Sequence, residues 1–161
     1  MPSFNSASIA TEVTVDAPPA KVREVLLAFE DGPKWTHRFI QGLAVRRAGT
    51  GEAISAFEAK PGDVVKLKTA QAGTSDAVME INTPEKFGWR GGSMGFVAHH
   101  WFDILPSPEG EGKTLFKHSE TFDGGVAFLF MAYSPLRGWL EGLYKTFNED
   151  LKKAVEGVEE G

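Results

Sequence analysis

The chain has 161 residues, no cysteine, and 17 Lys+Arg against 22 Asp+Glu, a net charge of −5. This length supports one domain, spanning residues 1–161, with its own core. The missing thiols exclude disulfides, Cys nucleophiles and Cys-ligated metals, and the acidic balance argues against an electrostatic grip on nucleic acid or anionic lipid.

Residues 1–8 lack the charged flank and apolar run of a secretory signal, so a cytoplasmic location is expected. Ile9, Thr11, Val13 and Val15 then alternate with Ala10, Glu12 and Thr14, the period of a half-buried strand. Asp16-Ala17-Pro18-Pro19 stops that strand and opens a helix, because proline fits a first helical turn and not a sheet interior. Val22, Val25, Leu26 and Phe29 give the helix one apolar face, and Asp31-Gly32-Pro33 ends it. A short turn or helix carrying Trp35 and Phe39 follows. Strand-like runs over residues 43–47, 53–59, 64–69, 77–81, 87–91, 98–105 and 114–122 come next, with Gly or Pro at nearly every junction, which reads as an antiparallel meander. Residues 126–133 form the longest apolar run, far below the ~20 residues that cross a bilayer, and read as core, lid or contact surface.

After Gly124-Gly125 the period becomes helical. Leu136, Leu140, Leu143, Tyr144, Phe147, Leu151, Ala154, Val155 and Val158 form one stripe, with Pro135 at the start and Gly157 near the end. The spacing predicts a C-terminal amphipathic helix of about six turns. One strand, two short helices, antiparallel strands and a long last helix make an α+β class, and the helix must bury its stripe on the sheet.

This order, with several motifs, resembles the helix-grip fold of the START-like (SRPBCC) superfamily, which includes polyketide cyclase/dehydrase-like, Bet v 1-like and lipid-transfer proteins. Val15-Asp16-Ala17-Pro18-Pro19-Ala20-Lys21-Val22 leads into the first helix, and Trp35 follows it. Phe87-Gly88-Trp89-Arg90-Gly91 resembles the family's L-x-W-x-G strand. His100-Trp101-Phe102-Asp103-Ile104-Leu105-Pro106 and the run from Thr114 through Glu120, Phe122 and Gly124 resemble its last hairpin. The resemblance implies a curved sheet of about six or seven strands wrapped on the last helix, and a cavity between them. Fold raises the prior on a pocket without naming its chemistry.

The last two strands carry the most chemistry. His100, Phe102 and Ile104 share one face of theirs, and Phe116, His118, Glu120 and Phe122 share one face of the next. A hairpin would set Phe102 opposite His118 and His100 opposite Glu120, so two imidazoles and a carboxylate meet on an aromatic surface. Burial raises a carboxyl pKa and a neighbouring imidazolium lowers it, which suits a proton donor and acceptor poised near neutrality. The same groups equally read as a satisfied structural network.

Gly91-Gly92-Ser93-Met94-Gly95 matches G-x-S-x-G, but a nucleophile elbow needs a helix after it and residues 96–105 read as a strand. Adjacent His99 and His100 point to opposite faces, leaving too few ligands for a closed zinc site, so neither metal nor cofactor is expected. The expected function is binding of a small hydrophobic or polyaromatic, polyketide- or lipid-like molecule between sheet and last helix. Trp35, Phe57, Trp89, Phe102, Phe116, Phe122, Met131, Tyr133, Trp139 and Leu143 are the expected walls. A second reading is a polyketide cyclase or dehydratase-like enzyme in which His118 or His100 abstracts a proton and Glu120 orients or relays it. A third is a protein-interaction module using residues 126–133. A monomer or homodimer without nucleic acid or membrane span is expected.

Overall fold

The computed structural model describes residues 6–29, 32–93, 96–124 and 135–157. Eight antiparallel strands form one sheet: β1 (Ser6–Val15), β2 (Ile40–Arg46), β3 (Ala53–Ile54), β4 (Val64–Thr69), β5 (Gly73–Thr83), β6 (Lys86–Ser93), β7 (Phe96–Pro106) and β8 (Thr114–Asp123). Their order across the sheet is β1-β8-β7-β6-β5-β4-β2-β3. Helix α1 (Pro19–Leu27) and helix α2 (Gly32–Trp35) follow β1, and the long helix α3 (Leu136–Glu156) ends the described chain. This is the helix-grip architecture. No described helix is long and apolar enough to cross a membrane.

Sequence explains most boundaries. Pro18 caps α1 in an extended conformation with Pro19 in its first turn. Gly157 closes α3 at φ 72°, a left-handed conformation that costs glycine little, and its N–H bonds the Lys153 carbonyl. Two expectations shift locally. The run over residues 53–59 is only a two-residue strand followed by a 3₁₀ turn (Ala56–Glu58), because the Ser55 hydroxyl accepts the Phe57 N–H and breaks the ladder. Helix α1 stops at Leu27, so Phe29 lies beyond its end yet stays buried.

Alternation sends apolar side chains of successive strands to one concave face. The registers line them up in rows. Ile9, Glu120, His100, Trp89 and Met79 form one row across β1, β8, β7, β6 and β5; Thr11, His118, Phe102 and Phe87 form the next. Helix α3 crosses β1 and β8 with Tyr144, Phe147, Asn148, Leu151 and Val155 buried. Its end is tied to β1, where the Lys152 ammonium donates to the Thr14 carbonyl at 2.7 Å and the Asp16 N–H to Glu156 at 3.2 Å. On the convex face Gly88 lies beneath the Trp101 ring. A Cβ there would sit 2.0 Å from Trp101 Cδ1, so the glycine of the Phe87-Gly88-Trp89 motif is needed for close approach.

Candidate functional site

The β7–β8 register sets Phe102 opposite His118 and His100 opposite Glu120, as the alternation predicts. What the strands bring together, α3 completes. His100 Nε2 lies 2.6 Å from His118 Nε2, and His100 Nδ1 lies 3.2 Å from Glu120 Oε2. The Tyr144 hydroxyl donates to the other Glu120 oxygen. Beyond His118, its Nδ1 faces Asn148 Oδ1 at 3.1 Å, the Asn148 amide donates to Thr11 Oγ1 at 2.9 Å, and Thr11 donates to the His118 carbonyl at 3.2 Å. Six side chains from β1, β7, β8 and α3 thus form one hydrogen-bonded chain, which begins at Tyr144 and ends on a backbone carbonyl.

The chain is encased in rings. Trp89 stacks on His100 at 4.8 Å and 9°, Tyr144 on His118 at 4.5 Å, and Phe39 lies near both imidazoles at 6.0 and 6.1 Å. His118 and Tyr144 are 0% exposed and His100 is 4% exposed, whereas the Glu120 side chain retains 16%. Burial first, and the neighbouring His100 second, push His118 well below the ordinary imidazole value of 6.5. Burial, reinforced by the Glu120 charge, holds the Tyr144 phenol protonated far above its usual range. Both shifts fit a neutral His118 and a donating Tyr144.

Tyr144 and Asn148 are absent from the sequence-derived site. The signal is nevertheless present: they stand at i and i+4 on α3, and Asn148 is the polar interruption of an otherwise apolar stripe.

The expected wall residues separate into groups. Trp89, Phe102 and Phe116 are buried at 0–4% exposure, and they pack on neighbours: Phe102 lies 5.6 Å from Phe116, 5.5 Å from Phe147 and 5.6 Å from Trp89. Among the described residues, rings fill the middle of the space between sheet and α3. Phe122 and Leu143 are partly buried beside Ile9 and Tyr144, at the end where Glu120 sits. Trp35 packs on Phe147 at 5.4 Å, and its Nε1–H is buried with no acceptor among the described residues. Phe57 and Trp139, 44% and 51% exposed, do not line that space. The 3₁₀ turn swings Phe57 outward beneath Arg23, whose guanidinium carbon is 5.6 Å from the ring centre, and Trp139 is on the outer side of the first turns of α3. Met131, Tyr133 and the rest of the 126–133 segment lie outside the described residues.

Open volume lies elsewhere on the concave side. A cleft of about 570 Å³ is lined by Leu27 and Phe29 at the end of α1 and by Leu43, Val45, Ile54 and Leu67 from β2, β3 and β4. Its Phe29 connects to the polar chain through a series of rings: Phe29 to Phe87 at 6.1 Å, Phe87 to Trp89 at 6.1 Å, and Trp89 to His100.

His99 takes the convex face, away from His100. Its Nδ1 bonds Glu80 at 2.8 Å and its Nε2 faces Asp123 at 3.4 Å. Burial raises the Glu80 pKa, but bonds from His99 and Trp101 outweigh it and bring the value below normal. Among the described residues no three His, Asp or Glu side chains are disposed to hold a metal ion.

A family model described as polyketide cyclase / dehydrase and lipid transport matches residues 6–156. No curated protein matches the sequence. Among solved structures, a START superfamily protein from Mycobacterium smegmatis superposes with a TM-score of 0.63 at 16% identity, covering 94% of this chain and 99% of that one. Norcoclaurine synthase from Thalictrum flavum, in complex with dopamine and hydroxybenzaldehyde, superposes with a TM-score of 0.61 at 14% identity, covering 97% and 90%. At such identities the likeness is one of fold.

Proposed function

The chain belongs to the polyketide cyclase / dehydrase and lipid transport family, and from that membership we propose that it binds a small hydrophobic or polyaromatic molecule on the concave side of its sheet. The observation that carries this reading is the cleft between the end of α1 and strands β2 to β4. Its volume of about 570 Å³ falls within the roughly 300–1,000 Å³ of small-molecule sites. Leu27, Phe29, Leu43, Val45, Ile54 and Leu67 line it together with Lys66, Lys68 and Thr74, so a guest meets apolar side chains of the core beside a few polar ones and gains by displacing water from the apolar part. Anilinonaphthalene sulfonate, an apolar fluorescent probe, is expected to bind folded protein with one saturable transition. Ile54→Trp, which fills the cleft from the short edge strand β3, is expected to weaken that binding at least tenfold. Unchanged affinity in that variant places the probe outside the cleft and ends the reading.

A second reading, acid–base catalysis of the cyclase or dehydratase kind, is favoured by the Tyr144–Glu120–His100 arrangement. There the Glu120 carboxylate takes a proton from a carbon beside a carbonyl. The C–H bond breaks, its electron pair remains on the substrate as an enolate, and the proton returns from Glu120 in the closing step. Glu120→Gln keeps the shape and removes the base, so turnover of a candidate polyketide is expected to fall by roughly 10²–10⁴-fold with anilinonaphthalene sulfonate binding unchanged.

A further inference from the structure

The geometry points to Thr11 and Asn148 as positioning residues: they fix the direction of the buried hydrogen-bond chain, so that its single mobile proton resides between His100 and Glu120 and a ligand reaching Glu120 is one with a weakly acidic hydroxyl, a phenol or an enol.

The direction follows from the chain's fixed end. A backbone carbonyl can only accept, so the one proton of Thr11 is spent on the His118 carbonyl. Thr11 Oγ1 must then accept from Asn148, which turns the amide nitrogen toward Thr11 and Asn148 Oδ1 toward His118. An amide oxygen is also only an acceptor, so His118 Nδ1 carries a hydrogen. Neutral His118 then offers a lone pair at Nε2, and His100 Nε2–H fills it at 2.6 Å. At the far side, His100 Nδ1 and Glu120 Oε2 face each other at 3.2 Å, which requires one proton between them. It sits either on His100, giving an imidazolium–carboxylate pair, or on Glu120. A third placement, on His118, would put a charge on the one imidazole with no solvent exposure and no carboxylate beside it, and burial opposes it.

The groups facing this proton are therefore His100 from β7, His118 and Glu120 from β8, Tyr144 and Asn148 from α3, Thr11 from β1, and the apolar Phe39 from the segment before β2. With Tyr144 donating to one Glu120 oxygen, the side chain at the exposed end of the chain presents acceptor capacity. Its donor Tyr144 and its cross-strand neighbour Ile9 form a cluster on which the partly buried Phe39, Phe122, Leu140 and Leu143 pack. A flat hydrophobic molecule with one donating hydroxyl matches that combination, since the ring takes the apolar wall and the O–H takes the carboxylate. The ligand half of this inference rests on the second reading above. The position of the proton does not.

The test has two arms. In the first, the protein carries ¹⁵N-labelled histidine and its ring signals are followed between about pH 5 and 8. His118 is expected to hold one neutral, Nδ1-protonated form throughout, with His100 sharing or carrying a second proton. Thr11→Ser, which keeps the hydroxyl, is expected to leave this pattern intact. Asn148→Asp, whose carboxylate cannot donate to Thr11, is expected to draw a proton onto His118. An Nε2-protonated His118, or one that titrates in the unaltered protein, overturns the assignment without needing any variant to fold. In the second arm, naphthol is expected to bind at least tenfold tighter than its methyl ether, and Glu120→Gln is expected to erase that ratio. Equal binding of the two overturns the ligand class. Binding of neither, while anilinonaphthalene sulfonate still enters the cleft, overturns it too and leaves the cleft reading standing.

Discussion

Two regions share the concave face of the sheet and divide between them what a working site needs. The cleft along β2 to β4 has room, about 570 Å³ of it, and a lining in which leucine, valine, isoleucine and phenylalanine stand beside Lys66, Lys68 and Thr74. The chain from Tyr144 to Thr11 has the chemistry, and its histidines and tyrosine are at most 4% exposed. Between them stands a wall of rings, Phe87, Trp89 and Phe102, each within about 6 Å of the next. The difference shows that the aromatic surplus of this sequence does two jobs: most of its described rings close on one another around the proton chain, and Phe29 joins aliphatic side chains in lining the cleft along β2 to β4. A low-dielectric shell strengthens the hydrogen bonds it surrounds and makes any broken one costly.

Breaking the wall is expected to have the largest effect. Phe102 is fully buried and touches members of both the core and the chain, with His118 at 4.7 Å and His100 at 5.3 Å. Phe102→Ala is expected to cost about 3–5 kcal/mol in chemical denaturation, the range for deleting a buried phenylalanine ring. If the loss is below about 1 kcal/mol, the wall is not a packed partition and the separation of cleft from chain fails.

The polar chain is expected to be nearly as sensitive to a much smaller change. Asn148→Leu keeps the side-chain volume and removes both amide functions, leaving the Thr11 oxygen without its donor and His118 with the Tyr144 backbone in place of its side-chain acceptor, in a site where all three residues are buried. A buried polar group stripped of its partner costs about 1–3 kcal/mol. Loss of that size, against a negligible change for Ile54→Trp at the rim of the cleft, would sharpen the contrast. Equal losses would erase it.

How far the sequence reaches is visible in the same two regions. Strand alternation placed His100, His118 and Glu120 on one face and paired them correctly, because a two-residue period and a short hairpin leave little freedom of register. The helix-grip order was legible for the same reason, since proline, glycine and the change of period mark the ends of elements. The partners from α3 were not legible as a site. Tyr144 and Asn148 lie on the predicted stripe, but the rotation of a helix over a sheet is set by packing, which no local pattern encodes. The cleft along β2 to β4 was not legible for a related reason. Alternation says which residues face inward and not whether facing rings meet, and here Phe102 meets Phe147 at 5.5 Å. Phe57 escaped because one serine hydroxyl turned the strand into a 3₁₀ turn.

The smallest expected effect is a slope with pH, and it belongs to one region only. In the unfolded chain His118 titrates near the ordinary 6.5; in the folded protein burial holds it well below that. Above the unfolded value both states leave the ring neutral, so its contribution to stability is full and flat. As the pH falls below 6.5 the unfolded state takes up a proton that the folded ring refuses, and stability is lost by up to about 1.4 kcal/mol per pH unit until the folded value is reached. His118→Gln removes that proton from both states, so the slope of unfolding free energy between about pH 6.5 and 5 is expected to shrink by up to one proton's worth. Ile54→Trp, confined to the cleft, is expected to leave the slope unchanged. A His118→Gln slope identical to that of the unaltered protein would mean that the imidazole gains its proton equally in both states. The chain would then be open to water, and its distinction from the cleft would be one of composition alone.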